Sequence, residues 1–422
     1  MTAPNPLQAH IHRLRSAAQE RLPAARNLLC GLIRIPSTAG NEAPAIDHLQ
    51  RRCRDLGGRA ELVPLPSHII GDPDYSFLDT PLDCADRRNL SFLRPGSGGG
   101  RSLAISAHLD VVPATGWPDA FEPKTDGDYV IGRGASDDKG QVVAVWLALQ
   151  LLDALDIATQ GDVEAQFVIE EEIGGNGALG MILAGHIADA ALVMECTDLQ
   201  IHPANRGAIW YRIRIIGKSA HMGRIREGVS AHDRAIQVIE ILRRYEQRLL
   251  AESRGVPLFE RYQQPVQVNV GMVRAGDWPA TVPGECVIEG GVGFLPNKKM
   301  ADVKRELDDT IRREADEWTR EHFTIDFPKL HNDAYQTDPN HPFVRAVSAA
   351  AADAGVASDV FGWNMSCDAR LYHHRGHMPT VVFGPGEPAQ AHAAGERIAM
   401  SQIADAAVAT ALLIARWCGV AQ

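Results

Sequence analysis

The sequence predicts a two-domain α/β protein: a mostly parallel sheet, covered by helices, that carries an inserted ferredoxin-like α+β domain. Three observations predict it. Short apolar runs alternate with helical segments through the first half, and each run ends in a polar motif. The stretch from 207 to 328 changes to longer alternating strands and amphipathic helices. A further apolar run near residue 380 restores the first pattern. A chain of 422 residues, 45% hydrophobic, also exceeds what one core usually holds. The expected division is 1–206 and 329–422 for the sheet domain, with 207–328 inserted.

Taken in order, residues from about 8 to 34 read as a helix. A second helix follows Pro44, with Ile46, Leu49 and Cys53 along one face. LAISAHLD is a buried strand that ends in His108 and Asp110. QVVAVWLALQLLDAL, at 141–155, is a helix. VEAQFVIEEE is a strand ending in three glutamates, and ALVMEC carries Glu195. In the insert, AIWYRIRIIG, VQVNVGMV, ECVIEGGVGFL and HFTIDFP are strands. VSAHDRAIQVIEILRRYEQRLL and KKMADVKRELDDTIRREADEW are helices, which gives the order βαββαβ. PTVVFGPG returns to the buried-strand pattern and precedes His392. Polar motifs at strand ends fit the rule that such sheets bind ligands at their carboxyl edge.

The formal net charge of -11 argues against nucleic acid or an anionic membrane as a partner. No stretch is long and apolar enough to span a bilayer, and the first residues lack the apolar core of a signal peptide. The seven cysteines are scattered singly, without a CxxC pair, so free thiols in a reducing cytoplasm are expected.

Five side chains are spaced to hold a pair of divalent metal ions: His108, Asp137, Glu172, Glu195 and His392. Imidazoles and carboxylates suit Zn²⁺, Mn²⁺ or Co²⁺, one or two per subunit. In SAHLD, Asp110 can orient the histidine through its other ring nitrogen. In GRGASDDKG, glycines around an acidic pair imply a tight loop against something small; Asp137 is the candidate bridge, and Asp138 is expected to point away. In EEEIGG, Glu172 is the ligand and Glu171 is placed to act as a general base. Each motif alone has an ordinary reading: a surface HxD pair, a polar turn, a solvated acidic turn. The ordered set of five outweighs those readings. His221, in GKSAHMGR, would crowd the ligand shell. It suits an oxyanion contact if its domain closes over the metals or comes from a second subunit.

Together, IPSTAGNE, the five ligand motifs, GKSAHMGR with GVSA, and CDAR at 367–370 resemble the M20 family of metallopeptidases and deacylases, especially the branch of acetylornithine deacetylase and succinyl-diaminopimelate desuccinylase. The resemblance implies a catalytic domain with a lid domain that forms a homodimer. It implies His108, Glu195, Glu172 and His392 as terminal ligands with Asp137 bridging, and Glu171 as general base. Asp110 would be the orienting acid, and His221 a lid histidine reaching a neighbouring site. Arg370 would meet a substrate carboxylate, and Asn269 would be a polar substrate contact. The activity implied is deacylation of a small N-acyl amino acid or related carboxylate by metal-activated water.

The chain departs from the family at Ala280, where an asparagine is usual, and at Gly291, where an arginine is usual. WNMSCDAR also brings bulky Trp363 and Met365 where glycines are usual, which is expected to add apolar bulk to the specificity layer. These departures keep open an aromatic or unusual amide or amine as the substrate. A non-catalytic metal-binding relative is the reading from another class, and intact ligands and base count against it.

Overall fold

The computed structural model describes residues 6–77, 83–84, 86–328 and 330–421. The chain opens with helices α1 (Pro6–Ile33) and α2 (Ala43–Cys53). In α2 the 3–4 spacing puts Ala45, Ile46, Leu49 and Cys53 on one buried face. Strands β1 (Arg59–Pro64), β2 (Arg88–Arg94) and β3 (Leu103–His108) follow. Next come α3 (Lys139–Ala154), β4 (Val163–Val168), α4 (Asn176–Leu183) and β5 (Ala191–Val193).

The chain then builds the inserted unit: β6 (Gly207–Ile216), α5 (Ala231–Glu252), β7 (Gln267–Ala275), β8 (Glu285–Phe294), α6 (Met300–Glu314) and β9 (Phe323–Asp326). It returns through α7 (Pro342–Asp353), α8 (Ala369–His374), β10 (Thr380–Val382) and α9 (Met400–Cys418).

The central sheet has the order β1-β2-β4-β3-β5-β10. The pairs β3–β4, β3–β5 and β5–β10 are parallel, and β1–β2 and β2–β4 are antiparallel. Every residue of β3 and β5 is buried, as expected of parallel strands covered on both faces. Helices α1, α3, α7 and α9 pack against one another around this core. Four of the expected strand runs fall in this sheet: LAISAH, VEAQFV, ALV and TVV.

The inserted sheet is antiparallel, in the order β7-β8-β6-β9. This is the strand order of a ferredoxin-like unit. On β6, Ile209, Tyr211, Ile213 and Ile215 alternate inward and join α5 and α6 in a second apolar core. That core draws on residues from Ala204 to Ala334. The other sheet face, which includes Trp210, Arg212 and Arg214, is open. Cys30, Cys53, Cys196, Cys286, Cys367 and Cys418 are free thiols. Among the described residues, no helix is long and apolar enough to cross a membrane.

Candidate metal centre

Strand ends bring the site together. His108 is the last residue of β3 and is 2% exposed. Glu171 and Glu172 follow the end of β4, and Glu195 follows the end of β5. Asp137 lies in the loop that enters α3, and His392 lies in the loop after β10 with a left-handed backbone (φ 60°). Parallel strands all present their carboxyl ends on one edge, so residues distant in sequence converge there.

Two groups of donor atoms form. One comprises His108, Asp137, Asp138 and Glu195; the other comprises Asp137, Glu172 and His392. Within each, the ligand atoms lie within 4.8 Å of one another. Asp137 belongs to both. His108 Nε2 is 3.1 Å from Asp137 Oδ1, and His392 Nε2 is 3.4 Å from Asp137 Oδ2 and 2.9 Å from Glu172 Oε2. The five donors expected from the sequence therefore meet in space.

Asp138 differs from expectation. It does not point away: it is fully buried, its Oδ2 accepts the backbone N–H of His108 at 2.9 Å, and it joins the first donor group. Its other oxygen, like Glu172 Oε1, is buried without a hydrogen-bond partner among the described residues.

Supporting contacts fix the donors. His108 Nδ1 is 3.0 Å from the Asp110 carbonyl oxygen and 3.4 Å from Asp110 Oδ1. The same Asp110 carboxylate accepts the backbone N–H groups of Glu171 and Glu172, at 3.1 and 3.0 Å. Sequence reasoning missed Glu396. Its buried carboxylate accepts the N–H groups of Gly134, Ser136 and Asp137 and pairs with Arg133 Nη1 at 2.7 Å, so it holds the Asp137 loop. The available signal was an acid four residues after His392, within AHAAGE.

Electrostatics favour a cation at these donors. Burial, and then the neighbouring Asp137, push Glu172 up to about 7. Burial followed by Asp138 raises Glu195 well above the carboxylate range, and burial followed by Asp368 does the same to Glu171. His108 is driven upward: burial opposes its charge, but Asp138, Asp110 and Asp137 outweigh it. Buried acids this crowded need a cation, and nitrogen and oxygen donors with unpartnered lone pairs fit a divalent ion.

A cavity of about 210 Å³ adjoins the donors, lined by Glu171, Glu172, His392, Trp210, Asn332 and Ser366. A larger one of about 410 Å³ lies on the open face of the inserted sheet and includes Asn269 and Trp210. His221 sits apart, on an exposed turn of the insert, where its Nδ1 accepts the Gly223 N–H at 3.1 Å.

Arg370 is not turned to either cavity. It is 2% exposed and its two Nη atoms are taken up, donating to Gly174 O at 2.9 Å and to Asp74 Oδ1 at 3.4 Å. The expectation for Trp363 also fails. It is 4% exposed and stacks on His202 at 6.0 Å, which makes it part of the core. Met365 packs against the same core. Ala280 lies beside the His221 turn, where its carbonyl accepts the Met222 N–H. Trp210 is the aromatic wall that the sequence did not single out.

The model of the family described as Peptidase family M20/M25/M40 matches residues 104–416. The chain is 29% identical over 410 residues to acetylornithine deacetylase of Myxococcus xanthus, covering 95% of this chain and 99% of the relative. It is 28% identical over 343 residues to N-formyl-4-amino-5-aminomethyl-2-methylpyrimidine deformylase of Bacillus subtilis (strain 168), covering 75% and 79%. A tripeptidase from Staphylococcus aureus shares the fold with a TM-score of 0.73 at 20% identity, over 93% of this chain and 97% of that one.

Proposed function

Because the chain belongs to peptidase family M20/M25/M40, we propose that this hydrolase removes the acyl group from a small N-acyl amino acid or a related carboxylate. The observation that carries the reading is the pair of donor groups sharing Asp137 beside a cavity lined by Glu171. The named relatives, a deacetylase and a deformylase, both act on acylated amines and support the same bond.

In this reading His108 and Glu195 would hold one Zn²⁺, Mn²⁺ or Co²⁺ ion and Glu172 and His392 a second, with Asp137, which belongs to both donor groups, available to either. Asp138 fixes the backbone beneath His108. When bound, such ions polarise a carbonyl and make water acidic enough to attack near neutral pH. Glu171 accepts the proton of the attacking water and returns it to the amide nitrogen. The new C–O bond forms, the C–N bond breaks, and a carboxylic acid and an amine leave. Asp110 holds the backbone of Glu171 and Glu172 in place for this transfer. We assign His221 an oxyanion contact in the site of a second copy, joined through the inserted unit as a homodimer; its exposed position supports a role outside its own donor groups. Free thiols such as Cys53, Cys196 and Cys367 support a cytoplasmic setting.

Glu171→Gln tests the reading. Bound metal should stay near wild-type content while hydrolysis of an N-acetyl amino acid panel falls by several orders of magnitude. Loss of metal together with activity would place Glu171 among the ligands and overturn its role as base.

A further inference from the structure

Cross-strand register builds a second feature on the open face of the inserted sheet. Trp210 of β6, Gly291 of β8 and Asn269 of β7 form one row, and Ala208, Gly293 and Gln267 form the next. Neighbouring strands are about 4.8 Å apart. Trp210 and Asn269 thus stand roughly 10 Å apart, as walls over a floor of glycine backbone. The trough between them is the cavity of about 410 Å³, within the size range of small-molecule sites.

The glycines keep it empty. A Cβ at Gly291 would meet only ordinary contacts, Ile209 O at 3.4 Å and Trp210 Cδ1 at 3.5 Å, so a larger side chain there would stand in the trough. Over Gly293 lies Arg206, whose Nη1 would be 2.9 Å from a Cβ at that position.

Arg206 supplies the charge. It is half-buried, its Nε is buried without a hydrogen-bond partner, and among the described residues no carboxylate pairs with it. The acid in the trough, Glu289, is already neutralised by Arg212 at 2.8 Å and Arg274 at 3.0 Å. A cation withdrawn from water without a partner favours an anion. Trp210 also lines the metal-side cavity with Glu171, Glu172 and His392, so an occupant of the trough is continuous with the proposed reaction centre.

We propose that the trough binds a planar, negatively charged portion of the substrate: an aromatic ring lies against Trp210 over Gly291, and its carboxylate meets Arg206. The identity of the bond cleaved rests on the deacylation reading above; the binding of ring and charge does not.

Calorimetric titration of the zinc-loaded enzyme with 4-acetamidobenzoate and with acetanilide tests it. Gly291→Leu should weaken both ligands by at least about tenfold, because it fills the ring's place. Arg206→Gln should weaken 4-acetamidobenzoate by about tenfold, as for a lost charge-assisted contact, and leave acetanilide within about twofold. That split also separates a lost contact from a misfolded protein. Absence of 4-acetamidobenzoate binding to the wild type, or unchanged binding in Gly291→Leu, overturns the trough. A wild type that binds the ring probe but hydrolyses no N-acyl amino compound keeps the trough and overturns the deacylation reading. One that hydrolyses N-acetyl amino acids without binding either probe does the reverse.

Discussion

The carboxylate of Asp110 accepts the backbone N–H of Glu172 at 3.0 Å, and through its other oxygen that of Glu171 at 3.1 Å. One buried acid on the loop after β3 thus sets the turn after β4 that presents both the candidate base and a candidate ligand. It also lies 3.4 Å from His108 Nδ1. Asp110→Asn replaces one acceptor oxygen with a donor. We expect kcat to fall about 10–100-fold, with a parallel loss of metal affinity, as for other groups that orient ligands. Metal analysis beside steady-state kinetics checks both.

The shared position of Asp137 predicts an ordered loss of metal. His392→Ala removes a donor from the Glu172 group and leaves the His108 group whole. If the two donor groups each take an ion, the purified variant should retain about one ion per chain against about two in the wild type. Elemental analysis after dialysis reads the stoichiometry. Equal occupancy in the two proteins would remove His392 from the ligand set.

Removing all metal should destabilise the fold. Glu172, Glu195 and Glu171 are each pushed upward by burial and by neighbouring acids, so an ion that binds only the folded chain relieves them. A ligand at 100 times its Kd adds about 2.7 kcal/mol to stability. Dialysis against a chelator should lower Tm and abolish turnover, and Zn²⁺, Mn²⁺ or Co²⁺ should restore both. Differential scanning calorimetry records the change.

Glu396 should be a stability residue first. Glu396→Ala strands the buried Arg133 and the N–H groups of Gly134, Ser136 and Asp137. Breaking such a buried pair costs about 3–5 kcal/mol. Urea denaturation of the metal-free protein measures this apart from any effect on metal binding.

Acid should weaken the fold through His202. Burial lowers its pKa to about 4, opposed only in part by the bond to Phe361 O at 2.9 Å. The unfolded side chain titrates near 6.5. Between those values the unfolded state binds more protons, so stability is full above pH ~6.5 and falls as pH drops toward ~4. His202 accounts for up to about 3 kcal/mol of that loss. His373, also lowered to about 4 by burial, adds to it. Urea midpoints at pH 7 and pH 5 should differ less in His202→Gln than in the wild type.

The sequence by itself determined the order of elements and the chemical identity of the donors. Period-2 and period-3.6 patterns are local, and buried parallel strands must end at one edge, so His108, Glu172 and Glu195 were legible as strand-end residues. The tertiary structure decided what each polar side chain meets. Asp138 turned inward because the His108 backbone lies across from it, and Arg370 was taken up by Asp74 and Gly174. Glu396 reached a loop some 260 residues away. Cross-strand register, not spacing, set Trp210 beside Gly291 and Asn269. Such contacts depend on how distant segments pack, and packing is not written in the residues near either partner.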